Sequence, residues 1–251
     1  VVSAMEALNY QPNRLARSLR RKDKRTNTLG LLIPDSMNPF FAEVLRGVED
    51  ASFEADYNVF LCNSDNSPEK ELNYLRVLLG KQIDGIILVS TSTMGSLELL
   101  DRRKITTVVV DRQVGENNHD SVMVENEVGG QIATNYLLGL GHRRIGCITG
   151  PSALTPSAKR VQGYRKALED EMLPIDEALI VQGDFRPQSG YSRMKELFDT
   201  PSPPTAIFAC NDMMAFGAMR AINEQNLSVP GDISMIGFDD ILLSSYTAPP
   251  L

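Results

Sequence analysis

The sequence predicts an α/β protein built as two doubly wound parallel-sheet lobes. Three observations predict it. Short apolar runs alternate with segments of helical periodicity from residue 28 onward, the runs are apolar throughout rather than at every second residue, and the alternation occurs twice with a join near residues 122–126. Strands apolar on both faces lie between layers of helices, which is the parallel, doubly wound arrangement. At 251 residues the chain suits two domains of roughly 100–150 residues better than one.

The elements follow in order. TLGLLIP (28–34) is an apolar run ended by Pro, and NPFFAEVLRGVEDASFEAD (38–56) places apolar residues at helical spacing behind an Asn-Pro start. YNVFLCN (57–63) reads as strand, SPEKELNYLRVLLGK (67–81) as helix, DGIILVS (84–90) as strand, GSLELLDRRK (95–104) as helix and ITTVVVDRQ (105–113) as strand. The second set comprises helix 125–140, strand RIGCITG (144–150), helix 156–171, strand ALIVQGDF (178–185), helix 187–199, strand PTAIFACND (204–212), helix 214–226 and strand DISMIGFDD (232–240). The expected domains are 1–27, 28–124 and 125–251.

In such sheets ligands bind beyond the carboxyl ends of the strands. The residues there are PDSMNPFF, STSTM, DRQ, TGPSALTP, GDF, CND and FDD, a set rich in Asp, Asn and Phe. Each Asp or Asn alone reads as a helix cap or turn residue. Together on one rim they read as groups that grip a small polar molecule.

Several classes are disfavoured. GLGHRRIG (139–146) is not G-x-G-x-x-G, and it precedes a strand where a dinucleotide fingerprint would follow one. Neither a Walker A motif nor G-x-S-x-G occurs, and His119 and His142 fall in polar loops, where we read them as solvated or capping. No enzyme, cofactor or metal is implied. Cys62, Cys147 and Cys210 sit far apart among apolar residues and read as buried thiols of a reducing cytoplasm. No apolar run approaches the roughly 20 residues of a membrane span, and no leader-like segment opens the chain.

Charge is distributed unevenly. Seven basic and two acidic residues among the first 25 give that end +5, which leaves −12 for the remainder of a −7 chain. A local basic segment on an acidic body marks a local anionic partner.

The strand-end residues and the N-terminal segment together resemble the LacI-type family of transcription regulators. The resemblance spans the whole chain and is most specific in LNYQPNRLARSL (8–19), MNPFFAEVLRGVE (37–49), GHRRIGCITGP (141–151), RVQGYRKAL (160–168), CNDMMAFGAMRA (210–221) and VPGDISMIGFDD (229–240). Within the family the likeness is greatest to ribose repressors, and the two lobes also resemble periplasmic sugar-binding proteins. The resemblance implies a helix-turn-helix of which 1–10 is only the last helix, and a final strand and helices beyond Leu251. It also implies a hinge helix over residues 13–20. A helix that short is marginal in water. Its Leu19 would wedge into the minor groove and kink operator DNA, Leu15 and Ala16 would line the contact between paired hinges, and Asn13, Arg14, Arg17 and Arg20 would meet backbone and groove.

The resemblance further implies a sugar, most closely ribose, held between the lobes. Phe40, Phe41 and Phe185 would pack on its C–H faces, and Asn38, Asp111, Arg112, Arg160, Asn211 and Asp239 would hold its hydroxyls. It implies a homodimer on a two-fold operator, released from DNA by the sugar. Two alternatives remain open: a sugar-binding protein of a transport system, and a purine-responsive repressor of the same family.

Overall fold

The computed structural model describes residues 25–89, 94–112 and 119–251. The hinge residues Asn13, Arg14, Leu15, Ala16, Arg17, Leu19 and Arg20, with the partial helix-turn-helix, lie outside them. The described chain separates into two compact units. One comprises 25–35, 43–89, 94–110 and 119–121, the other 36–42, 111–112 and 122–251.

The first unit holds a five-stranded sheet of order β2-β1-β3-β4-β5, made of β1 (Thr28–Ile33), β2 (Asn58–Asn63), β3 (Gly85–Leu88), β4 (Thr106–Val110) and β5 (Asp120–Val122). β1 runs parallel to both β2 and β3, and β3 parallel to β4, so the predicted topology is present. The helices α1 (Pro39–Glu54), α2 (Pro68–Gly80) and α3 (Met94–Arg103) alternate with the strands. Ser67 opens α2 by accepting a hydrogen bond from the Lys70 N–H at 3.3 Å, with Pro68 behind it. The core gathers Leu32, Leu75, Leu78, Leu88, Leu100 and Val109. β5 is a difference from the sequence reading. Its three residues are exposed and form no apolar run, so they carried no strand signal.

The second unit holds a four-stranded parallel sheet of order β7-β6-β8-β9, from β6 (Ile145–Thr149), β7 (Ile180–Gln182), β8 (Ala206–Ala209) and β9 (Ser234–Ile236). Its helices are α4 (Asn126–Gly139), α5 (Thr155–Asp170), α6 (Pro187–Phe198) and α7 (Asp212–Glu224). β6 and β8 are buried along their whole length, which matches their unbroken apolar sequence. The residues read as the start of strand 178–185 instead form a 3₁₀ turn, Glu177–Leu179, opened by Asp176 accepting from the Ala178 N–H.

Strand order reverses between β1 and β3 in the first sheet and between β6 and β8 in the second. These are the switch points where a doubly wound sheet opens a crevice at its carboxyl edge. The loop after β1 carries Asn38, with Phe40 and Phe41 in the first turn of α1 behind it, and the loop after β8 carries Asn211.

His142 departs from the solvated reading. Its Nδ1 bonds Thr205 Oγ1 and its Nε2 bonds Ser234 Oγ, both at 2.9 Å, tying the amino ends of β6, β8 and β9 together. Cys147 and Cys210 are fully buried free thiols 3.9 Å apart, and Cys62 is half-buried. Burial, then the bond to Cys210, pushes the Cys147 thiol well up, so it is inert as a nucleophile.

Two helix pairs of the second unit approach until backbone meets backbone. A Cβ on Gly163 of α5 would fall 2.0 Å from the Glu127 carbonyl oxygen and 2.6 Å from the Gln131 nitrogen of α4, and one on Gly130 would fall 2.3 Å from the Arg160 carbonyl oxygen. α6 and α7 repeat the device with Gly190 against Met214 and Gly217 against Pro187. Backbone cannot swing aside as a side chain can. Gly163→Ala is therefore expected to destabilise the protein by about 1–3 kcal/mol, the usual cost of overpacking, read as a lower midpoint in urea.

Candidate functional site

All nine residues expected to hold the effector belong to the second unit as it is described above. Most follow strand ends or open helices. Asn38 precedes α1 and its Oδ1 accepts from the Phe40 N–H at 3.1 Å, a cap that fixes the first helical turn. That turn presents Phe40 and Phe41, whose rings meet edge to face with centroids 5.1 Å apart. The Arg112 guanidinium lies 5.9 Å from the Phe41 ring centroid, within cation–π range.

Phe185 follows β7 and lies flat on the backbone at Gly150, where a Cβ would fall 2.1 Å from the ring. Asn211 ends β8 and caps α7. Its Oδ1 accepts from the Met214 N–H at 2.9 Å while its Nδ2 donates to the Phe185 carbonyl at 3.1 Å. The capping reading of this residue is thus correct, but capping does not exhaust it. A carboxamide has two lone pairs and two N–H groups, and one of each remains.

Charge concentrates around Arg160, in the middle of α5. Its Nη1 is 3.4 Å from Asp239 Oδ1, and both side chains are only 5% exposed. Its Nη1 also donates to the Cys210 carbonyl, its Nε donates to Asn126 Oδ1 at 2.8 Å, and its guanidinium stacks 3.6 Å over the Phe238 ring centroid. Asp111 is buried nearby, and its Oδ1 has no hydrogen-bond partner among the described residues. An orphaned buried carboxylate oxygen costs roughly 1–3 kcal/mol or more.

The carboxylates show the strain. Burial lifts Asp111 above the ordinary carboxylate value, with Arg160 and Arg112 pulling against it. Burial likewise lifts Asp212, whose Oδ2 accepts from the Ile241 N–H at 2.9 Å. Asp239 is pushed up to about 7 by burial, against the pull of Arg160 and with the nearby charges of Asp212 and Asp111 adding to the rise. Three of the site residues also sit at positive φ: Asp111 (63°), Phe185 (68°) and Asp239 (103°). Strained backbone of this kind persists where surrounding structure over-determines it and clusters at ligand sites.

A cavity of about 670 Å³ opens beside this cluster. Phe40, Phe238 and Asp239 line it, yet most of its wall is apolar and includes Val124, Ile132 and Met235. Asp111, Arg160, Phe185 and Asn211 are not among its lining residues, so the charged cluster is the cavity's margin rather than its floor.

Sequence reasoning missed three participants: Asn126 and Phe238, which contact Arg160, and Asp212, which holds the loop after β9 through Ile241 and Ser244. Asp212 and Phe238 lay inside strand-end motifs already singled out. Asn126 carried no signal beyond opening a helix. Among the described residues no group of three or more His, Cys, Asp or Glu side chains is placed to hold a metal, and no helix is long and apolar enough to cross a membrane.

A family model described as periplasmic binding proteins and the sugar-binding domain of the LacI family matches residues 26–245. Among curated proteins, the ribose operon repressor of Escherichia coli (strain K12) is 41% identical over the whole chain and 76% of its own length. The HTH-type transcriptional repressor PurR of Actinobacillus pleuropneumoniae serotype 3 is 40% identical over the whole chain and 74% of its own. Among solved structures, a LacI-family transcriptional regulator of Enterococcus faecium with bound ribose has a TM-score of 0.81 and 33% identity over 89% of this chain and 82% of that one.

A folded-state proton on Asp239 has a consequence for stability. The native protein keeps, up to about pH 7, a proton that the unfolded chain releases near its ordinary carboxylate value. Stability therefore falls as pH rises through that window and levels off above it. Urea unfolding at pH 5 and pH 8 should show a decline of about 3 kcal/mol, two pH units at 1.36 kcal/mol each, and Asp239→Asn should flatten it.

Proposed function

The chain belongs to the LacI family, and from that premise we propose that it is a transcriptional repressor whose grip on operator DNA is set by a small sugar, ribose or a close relative. The observation that carries the sugar reading is the orphaned Asp111 Oδ1 beside the Arg160–Asp239 pair. Two buried carboxylates with an arginine between them are acceptors and donors in fixed directions, which is what a polyhydroxylated ring requires. In this reading Phe40, Phe41 and Phe185 cover the C–H faces of the ring, and Asn38, Asp111, Arg112, Arg160, Asn211 and Asp239 take its hydroxyls. The ribose operon repressor relative and the ribose-bound neighbour support the same choice.

In this proposal the hinge segment 13–20 carries the DNA contacts, with Leu19 as the wedge. Sugar and DNA each favour a different conformation and so weaken one another by the same factor. The repressor acts in the cytoplasm as a homodimer. Supporting the dimer, the first unit leaves Phe53 83% exposed on α1, and Phe60 and Leu61 exposed on the edge strand β2, apolar surface that a two-fold partner would cover.

A purine effector is the second reading, favoured by the similarity to PurR. Calorimetry with ribose and with hypoxanthine separates the two: heat with ribose alone is expected, and tight hypoxanthine binding without ribose heat overturns the sugar reading. In this reading the ribose hydroxyls donate to the carboxylate form of Asp239, so binding favours loss of its proton. Affinity is expected to rise about tenfold from pH 6 to pH 8 and little beyond, tenfold being one pKa unit.

The DNA reading has its own test. In the full-length protein, Arg20→Ala should make the slope of log affinity for operator DNA against log salt shallower by about 0.9, one phosphate contact. An unchanged slope removes Arg20 from the interface.

A further inference from the structure

We propose that Asn126 is a positioning residue of the effector site: it sets the in-plane direction of the Arg160 guanidinium and thereby decides which ligand acceptor the arginine can meet. The inference rests on the reading of this cluster as a sugar site.

A guanidinium stacked on a ring is held in one plane, but stacking leaves it able to turn within that plane. Two directional contacts at its edge are needed to stop the turn. Asn126 Oδ1, 2.8 Å from Nε, supplies one, and the Cys210 carbonyl at Nη1 supplies the other. The Asp239 oxygen, 3.4 Å from Nη1, is too distant to be a strong directional bond and acts chiefly as charge. With Nε and Nη1 committed to Asn126 and Cys210, Nη2 is the donor left to meet a ligand in this proposal.

Asn126 is itself unable to swing. It is buried, and its Nδ2 donates to the Val124 carbonyl at 3.0 Å. Arginine only donates, so the carboxamide must present Oδ1 to Arg160 and Nδ2 to Val124. The Cε2–Cζ edge of Phe238 abuts Gly129, where a Cβ would fall 2.6 Å from Phe238 Cε2. Gly129 thus fixes the ring on which Arg160 stacks, and Asn126 locks the arginine from the side.

A cap of α4 is the ordinary role for an asparagine at a helix start, and the bonds argue against it. A cap accepts from the N–H groups of its own first turn. The Oδ1 of Asn126 instead accepts from a side chain 34 residues away, and the residue at the capping position, Glu125, makes no side-chain cap bond.

The test uses ribose calorimetry together with the NMR signal of the Arg160 Nε–H group. Asn126→Leu keeps the volume and removes the acceptor; it is expected to weaken ribose binding tenfold or more. Asn126→Asp keeps an acceptor for Nε and should lose less. In an Arg160→Lys background, which lacks the planar fork, Asn126→Leu should change affinity by less than twofold. A merely structural asparagine would weaken binding equally in both backgrounds, and that result overturns the proposal. In the unliganded protein the Arg160 Nε–H should exchange with solvent far more slowly than those of the exposed Arg46 and Arg102, and Asn126→Leu should abolish the difference. Fast exchange in the wild type overturns the proposal even if no variant folds. Failure of the wild type to bind ribose would instead sink the sugar reading, and the Nε–H measurement would still decide whether Asn126 holds the arginine.

Discussion

The buried charge balance around Arg160 is the constraint on which the rest of the second unit depends. Removing a guanidinium and several carboxylates from water is costly, and the cost is recovered only when each charge meets partners in good geometry. Here the positive group is well supplied, with a ring beneath it, a carboxamide at Nε and a carbonyl at Nη1. The negative groups are not. Asp111 keeps an orphaned oxygen, and Asp239 sits where ionisation is nearly as costly as holding a proton. The imbalance is directional: on the side of Asp111 the cluster is short of hydrogen-bond donors.

The fold explains how such a cluster can be built. Arg160 lies where α5 meets α4 backbone to backbone, because Gly130 faces the Arg160 carbonyl and Gly163 faces the Glu127 carbonyl. The close approach brings Asn126, at the start of α4, within reach of a side chain in the middle of α5. On the other helix pair, Asn211 and Asp212 open α7 and hold Phe185 and the loop after β9 respectively. Helix starts and strand ends therefore converge on one place, and the close-packed interior behind them leaves little freedom for any one to shift alone.

Much of this was legible in the sequence, and the reason is local. Unbroken apolar runs such as IGCIT and AIFA need nothing but their own residues to read as buried parallel strands, and both are. The strand-end residues were visible as a set because the sheet topology says where to look. What stayed hidden depends on distant parts of the chain. β5 pairs through exposed residues with no pattern of their own. His142 looked solvated because Thr205 and Ser234, its two partners, lie 63 and 92 positions away. Asn126 looked like any helix-opening residue until the helix that carries Arg160 was packed against it. The nine site residues were found through their resemblance to a family pattern as well as through chemistry, whereas the residues that hold them in place belong to no motif.

Backbone strain at the strand ends bears on how this pocket could change its ligand. Asp111, Phe185 and Asp239 all adopt positive φ, where only Gly is at ease and Asn and Asp are tolerated. A substitution at these places has to satisfy the backbone before it can serve a new effector, which narrows the acceptable residues to a few. Asn38 and Arg160 are free of that backbone restriction but are held by their bonds, Asn38 to the Phe40 N–H and Arg160 to Asn126 and the Cys210 carbonyl. Under the effector reading proposed above, a lineage or an engineer seeking a new ligand would find the strand-end positions nearly closed.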